Sequence, residues 1–121
     1  MVTVMTQRRT LSTSTLTGDT VRNPQNENLG KVEDFMIDLE NGRIAYCVLS
    51  FGGFFGLGDK LFAVPWSAMT LDAENHAFVL DVPKARLKDA PGFDKDSWPD
   101  LTDADVRERI YGFYNVKPYW E

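Results

Sequence analysis

Asn41-Gly42 stands between two runs of alternating character, Val32 to Glu40 and Arg43 to Phe51, and no other feature limits the chain so strongly. Asn-Gly supplies the two positive-φ residues of a two-residue type I′ turn, so this segment predicts a β-hairpin. A two-residue loop would also set the register. Leu39 would face Ile44, Ile37 would face Tyr46 and Phe35 would face Val48 on a core side. The other side would pair Glu40 with Arg43, Asp38 with Ala45, Met36 with Cys47 and Asp34 with Leu49, with Phe51 next along the strand. That side starts polar at the turn and becomes apolar away from it, which predicts cover from elsewhere.

The remaining chain divides around this hairpin. Gly52 to Asp59 holds four glycines within seven residues and predicts a loop or tight corner. A strand from Leu61 to Val64 should end at Pro65-Trp66, because proline cannot donate to a ladder. Met69 to Leu71 and Ala77 to Val82 predict a second hairpin, with Phe78, Leu80 and Val82 on one face. Turn clusters at Leu16 to Asp19 and Asn23 to Asn26 flank a short extended piece around Val21. Five or six short strands of this kind predict a small antiparallel barrel. Lys84 to Asp89 predicts a helical turn stopped by Pro91, and Gly92 to Leu101 an irregular stretch. Thr102 as N-cap, Asp103 and Asp105 in the first turn, and Val106, Ile110 and Phe113 at helical spacing predict a short amphipathic helix over about 103–113.

Charge and composition exclude several functions. The 121 residues suit one domain, and their net charge of -5 does not build the positive field that a nucleic-acid backbone requires. No run approaches the length of a membrane span, and Met1 to Ser14 lacks the apolar centre of a signal peptide, so the expectation is a cytoplasmic protein without direct membrane insertion. The single Cys47 fits a reducing compartment and cannot form an internal disulfide. Residues 1–14, rich in Thr and Ser around Arg8-Arg9, predict a flexible tail.

Candidate chemistry is sparse. Gly53 and Gly58 have phosphate-loop spacing, but Asp59 stands where that motif needs lysine, and its carboxylate repels phosphate. His76 is the only histidine. It sits in a predicted turn beside Asn75 with no nucleophile placed by local motif, which favours a solvated turn residue over a catalytic base. Cys47 would be a redox sensor only with a cation beside it, and packing is the better reading. Asp94, Asp96 and Asp105 match EF-loop positions one, three and twelve, yet Trp98 and Pro99 occupy the fifth ligand and the glycine turn. Asp34 and Asp38 share a strand face, but lie roughly 13 Å apart, too far to share an ion. No catalytic residue, cofactor or metal site is expected.

Leu16-Thr17-Gly18-Asp19-Thr20-Val21, Leu29-Gly30-Lys31-Val32, Asn41-Gly42-Arg43-Ile44-Ala45-Tyr46, Gly52-Gly53-Phe54 and Phe62-Ala63-Val64-Pro65-Trp66 occur in an order that resembles the PRC-barrel family over about residues 15–90. The resemblance implies a small six-stranded antiparallel β-barrel, here with a C-terminal extension over 91–121 that carries the short helix. It implies no family-wide catalytic residue. Relatives include the cytoplasmic domain of a photosynthetic reaction-centre H subunit and the C-terminal domain of a ribosome-maturation factor, both of which dock on larger partners.

The resulting expectation is a non-enzymatic interaction module that self-associates, with a dimer favoured, and docks on another protein. Its candidate contact residues are Met36, Cys47, Leu49 and Phe51 on the second hairpin face, Phe54 and Phe55 in the glycine loop, and Trp66, Trp98, Tyr111, Tyr114 and Trp120. The two alternatives are a ligand binder or enzyme using Asp59 and Lys60 of the glycine loop, and a docking protein of a membrane complex.

Overall fold

The structure is a computed structural model and describes residues 10–52 and 59–120. A one-turn helix α1 (Thr13–Leu16) leads into strands β1 (Thr20–Arg22), β2 (Asn28–Asp38), β3 (Arg43–Gly52), β4 (Asp59–Pro65), β5 (Met69–Asp72) and β6 (Ala77–Leu80). Helix α2 (Lys84–Leu87), strand β7 (Gly92–Asp94) and helix α3 (Ala104–Tyr114) complete the chain. The strands form one seven-stranded sheet in the order β5-β6-β1-β2-β3-β4-β7. The β1–β6 pair is parallel and the other pairs are antiparallel, so the expected six-stranded antiparallel barrel is corrected to a mixed sheet with two edges, β5 and β7.

The seventh strand lies in the stretch expected to be irregular. Gly92-Phe93-Asp94 is too short to show a period, yet Phe93 pairs with Leu61 of β4 and is buried. Of the segment read as a flexible tail, residues 1–9 lie outside the described residues, and Ser12 caps α1 by accepting a hydrogen bond from the Thr15 N–H at 3.2 Å.

The β2–β3 hairpin forms, but its turn is not the two-residue one. Asp38 takes control of it. Its carboxylate accepts from the backbone N–H groups of Glu40 and Asn41, at 3.0 and 3.1 Å, and from the Asn41 amide at 2.8 Å. The Gly42 N–H then donates to the Asp38 carbonyl at 2.8 Å, and only Gly42 of the Asn-Gly pair has positive φ. An aspartate that bonds to backbone two and three residues ahead competes directly with the type I′ turn. The loop therefore spans 39–42, and Asp38 faces Arg43.

Register irregularities beyond the turn give Ile37 opposite Ile44, Met36 opposite Tyr46, Phe35 opposite Cys47 and Val32 opposite Leu49. Every cross-strand pair expected from a two-residue loop is thus replaced. Leu39, expected on the core face, is 89% exposed.

Cys47 and Leu49 of β3 face the interior of the sheet, Cys47 opposite Phe35. There Phe35 meets the Trp66 ring edge-on at 6.0 Å, and Trp66 meets Phe78 at 5.9 Å, which joins β2 to β6 across the core. The even-numbered side chains Tyr46 and Val48 are buried as well, under cover supplied by the C-terminal extension. Helix α3 packs against β4, and Tyr111 meets Tyr46 edge-on at 5.8 Å. Burying Ile110 contributes roughly 1.5–3 kcal/mol, and the rings of Tyr111 and Tyr114 add to it, less the cost of the buried, unpaired Tyr114 hydroxyl.

Its ends are well specified. Asp103, not Thr102, is the N-cap, accepting from the N–H groups of Asp105 and Val106 at 2.8 and 3.3 Å, while Thr102 bonds back to Asp100. Asn115 ends the helix in the left-handed conformation, with the Asn115 N–H bonding to the Gly112 carbonyl and the Val116 N–H to that of Tyr111.

A buried polar bracket closes the other side. The Asn23 amide donates to the Glu27 carboxylate at 2.7 Å and to the Val82 carbonyl at 3.1 Å, tying the β1–β2 turn to the chain leaving β6. Where β1, β2 and β3 lie closest, Gly30 has φ +116, and a Cβ there would collide with the Ser50 carbonyl oxygen. Gly30→Ala is therefore expected to destabilise the protein by about 3 kcal/mol or more, read as a lower urea midpoint.

Candidate functional site

The extension does more than cover the sheet: after α3 it returns to the tip of the β2–β3 hairpin. The Tyr119 hydroxyl donates to Asp38 Oδ2, so the carboxylate that shapes the turn also holds the end of the chain. The Arg43 guanidinium lies 4.0 Å from the centre of the Tyr119 ring, on the strand position facing Asp38. Next along, Trp120 meets Tyr111 and Tyr119 edge-on, each at 5.0 Å, and the Arg107 guanidinium sits 4.8 Å from the Trp120 ring centre. Contacts of aromatic edges and cations with ring faces pin this strap without regular secondary structure.

Electrostatics follow from the same contacts. Asp38 is held down at about 2, first by the Tyr119 hydrogen bond and then by those from Asn41. Tyr119 is pushed up to about 12 by loss of solvent and by the bond to Asp38. At neutral pH the clasp is therefore carboxylate to phenol.

Between strap and hairpin lies a cleft of about 580 Å³. Met36, Ile37, Leu39 and Ala45 of the hairpin form one side, and Leu101, Arg107, Tyr119 and Trp120 of the extension form the other. Tyr46 also lines it. The Tyr46 hydroxyl and the Arg107 Nε–H are buried and have no hydrogen-bond partner. Burial raises the Tyr46 pKa, so the hydroxyl stays protonated, while the Arg107 charge acts in the opposite sense on it.

The expected contact residues do not come together as one surface. Cys47 and Leu49 are 0% exposed and belong to the core, because the hairpin register turns their side of β3 inward. Trp66 lies in the aromatic chain through the interior, and Phe51 is half-buried against Phe62 at 6.3 Å. Tyr111 and Tyr114 are buried beneath α3. Trp98 is exposed and leans on Phe93 at 5.0 Å, away from the residues that line the cleft. Of the expected set, Met36 and Trp120 alone among the described residues line it.

Phe54 and Phe55, together with the glycine-loop reading of Gly53 to Asp59, lie outside the described residues or side chains. Among the cleft residues that sequence reasoning missed are Ile37, Leu39, Tyr46, Tyr119 and Arg107. Ile37 and Leu39 belong to the core face in the expected register and are exposed, whereas Tyr46 is expected in the core and is buried there. Arg107 is a helix residue whose neighbour Trp120 lies far along the chain.

His76 is exposed at the end of a short turn with φ +50, and the Cys47 thiol has its pKa pushed up to about 12 by burial. Among the described residues, no three His, Cys, Asp or Glu side chains form a group that could hold a metal ion. None of the described helices is long and apolar enough to cross a membrane.

The sequence profile of the family described as PRC-barrel domain matches residues 9–87. No curated protein matches the chain. The match ends at α2, so the cleft lies along the seam between the matched segment and the extension that follows it.

Asp38 and Tyr119 give the fold a pH signature. The lowered carboxylate contributes fully above its ordinary 3.8 and is lost as pH falls towards about 2. The raised phenol contributes fully below its ordinary 10.0 and is lost as pH rises towards about 12. The stability difference between wild type and Tyr119→Phe, measured by urea unfolding, should be flat between about pH 4 and 10 and shrink outside that window. Native Cys47 should resist a thiol-specific reagent at pH 8 and react promptly once urea unfolds the chain.

Proposed function

The chain belongs to the PRC-barrel domain family, and from that premise we propose that it is a non-catalytic docking module that self-associates and seats on a larger protein complex in the cytoplasm. Domains of this family are typically protein-interaction modules. One observation supports the reading most directly: Ile37, Leu39 and Trp120 are large apolar side chains left exposed around one cleft. The hairpin's other apolar side chains are buried or half-buried, so an apolar rim at its tip invites a second surface.

The rim differs from the surface expected from sequence. It uses the tip of the hairpin, where Asp38 has turned Leu39 outward, in place of Cys47 and Leu49. Glu40 and Arg43 beside it are exposed and give the contact a charged border, the arrangement that sets orientation in an interface.

The test uses Ile37→Asp with Leu39→Asp, two substitutions at exposed sites that should leave the fold intact. Sedimentation of the wild type should show a concentration-dependent dimer, and the double variant a monomer. Cross-linking of the tagged protein in its own cells should capture a stoichiometric partner with the wild type and lose it with the variant. An unchanged assembly state and an unchanged captured partner would contradict the proposal.

A further inference from the structure

The floor of the cleft, as distinct from its rim, carries two buried donors without acceptors. Tyr46 is 3% exposed and its hydroxyl has no partner; Arg107 is half-buried, and its Nε–H is buried without a partner as well. Buried polar groups are nearly always paired, because an unpaired donor forfeits its bonds to water without replacement. Two such donors, both on residues that line one cleft, have a common complement. That complement is an oxygen acceptor, and the guanidinium makes it an anionic one.

The walls narrow the choice further. Met36, Leu101 and Trp120 call for an apolar body, and about 580 Å³ falls within the usual range for small-molecule sites. Asp38 and Glu40 also line the cleft, so a dianion such as phosphate meets carboxylates there, while a single negative charge can be met by Arg107 alone.

We propose that the cleft binds a small apolar carboxylic acid, whose carboxylate accepts from the Tyr46 O–H and the Arg107 Nε–H and whose body lies between Met36, Leu101 and Trp120. Trp120 covers the approach, with its ring over Arg107 at 4.8 Å and part of its surface in solvent. The acid enters as Trp120 moves off the guanidinium, which changes the emission of that tryptophan. This inference concerns the cleft floor and does not rest on protein docking at the rim.

The test is titration of the full chain with phenylacetate, indole-3-acetate and octanoate, followed by calorimetry and by amide chemical shifts. Phenylacetamide and inorganic phosphate serve as controls. At least one acid should bind saturably, shift the amides of Tyr46 and Arg107 and, for the non-indole acids, change tryptophan emission in wild type but not in Trp120→Phe. The amide should bind about tenfold more weakly than its acid, and phosphate not at all.

Tyr46→Phe keeps the ring and removes only the unpaired hydroxyl. It should weaken the acid about tenfold and raise the Tm of the unliganded protein by about 3 °C. Failure of all three acids to bind, or equal binding to wild type and Tyr46→Phe, would overturn the proposal. A lowered Tm in Tyr46→Phe would also overturn it, since the hydroxyl would then already be satisfied within the fold. None of these outcomes bears on the assembly state of the Ile37 and Leu39 variants, so the two readings fail separately.

Discussion

The packing of Tyr111 on Tyr46 is the contact on which the rest of the structure depends. Five successive residues of β3, Tyr46 to Ser50, are buried, which a strand achieves only when both of its faces are covered. The curved sheet covers the inner face through Phe35, Trp66 and Phe78. A small sheet has no second layer of its own, and the outer face is covered by α3. Without that helix Tyr46, Val48 and Leu61 would meet water, so the segment after the family match is a structural part of this domain.

Placing α3 on the sheet has a further effect. The chain that leaves the helix at Asn115 is directed back to the hairpin tip, where Asp38 and Arg43 receive Tyr119. One carboxylate thereby holds both the hairpin turn and the strap. The cleft arises between these pieces, and its two unpaired donors come from the two sides of the seam, Tyr46 from β3 and Arg107 from α3.

The sequence was most legible where local chemistry and tertiary packing agree. The hairpin, the strand ending at Pro65, the pair of strands around His76, the turn at Lys84 and the helix before Asn115 all form close to their expected places. It misled at the hairpin turn, because Asn41-Gly42 was read without Asp38, whose side chain bonds to the same backbone groups. That error placed Leu39 in the core, while the register shift between Met36 and Ile37, which no local signal marks, is what pairs Phe35 with Cys47 and takes Cys47 and Leu49 into the core. Strand β7 was invisible, since three residues carry no period and Phe93 acquires its place only by pairing with Leu61. The cleft could not be read because it joins residues from segments distant in sequence through ring contacts. The abundance of Tyr and Trp near the C-terminus signalled cover, and the structure shows that the covered surface is this chain's own sheet.

Native-state hydrogen exchange tests most directly whether α3 is integral to the domain. If the helix is the outer layer of the core, the amides of Ile110 to Tyr114 should exchange through the same global opening as those of Tyr46 to Ser50, with equal free energies and equal denaturant dependence. Exchange of the helix amides through a separate opening of much lower free energy, with the β3 amides still protected, would show that the sheet stands without its cover and would contradict the account.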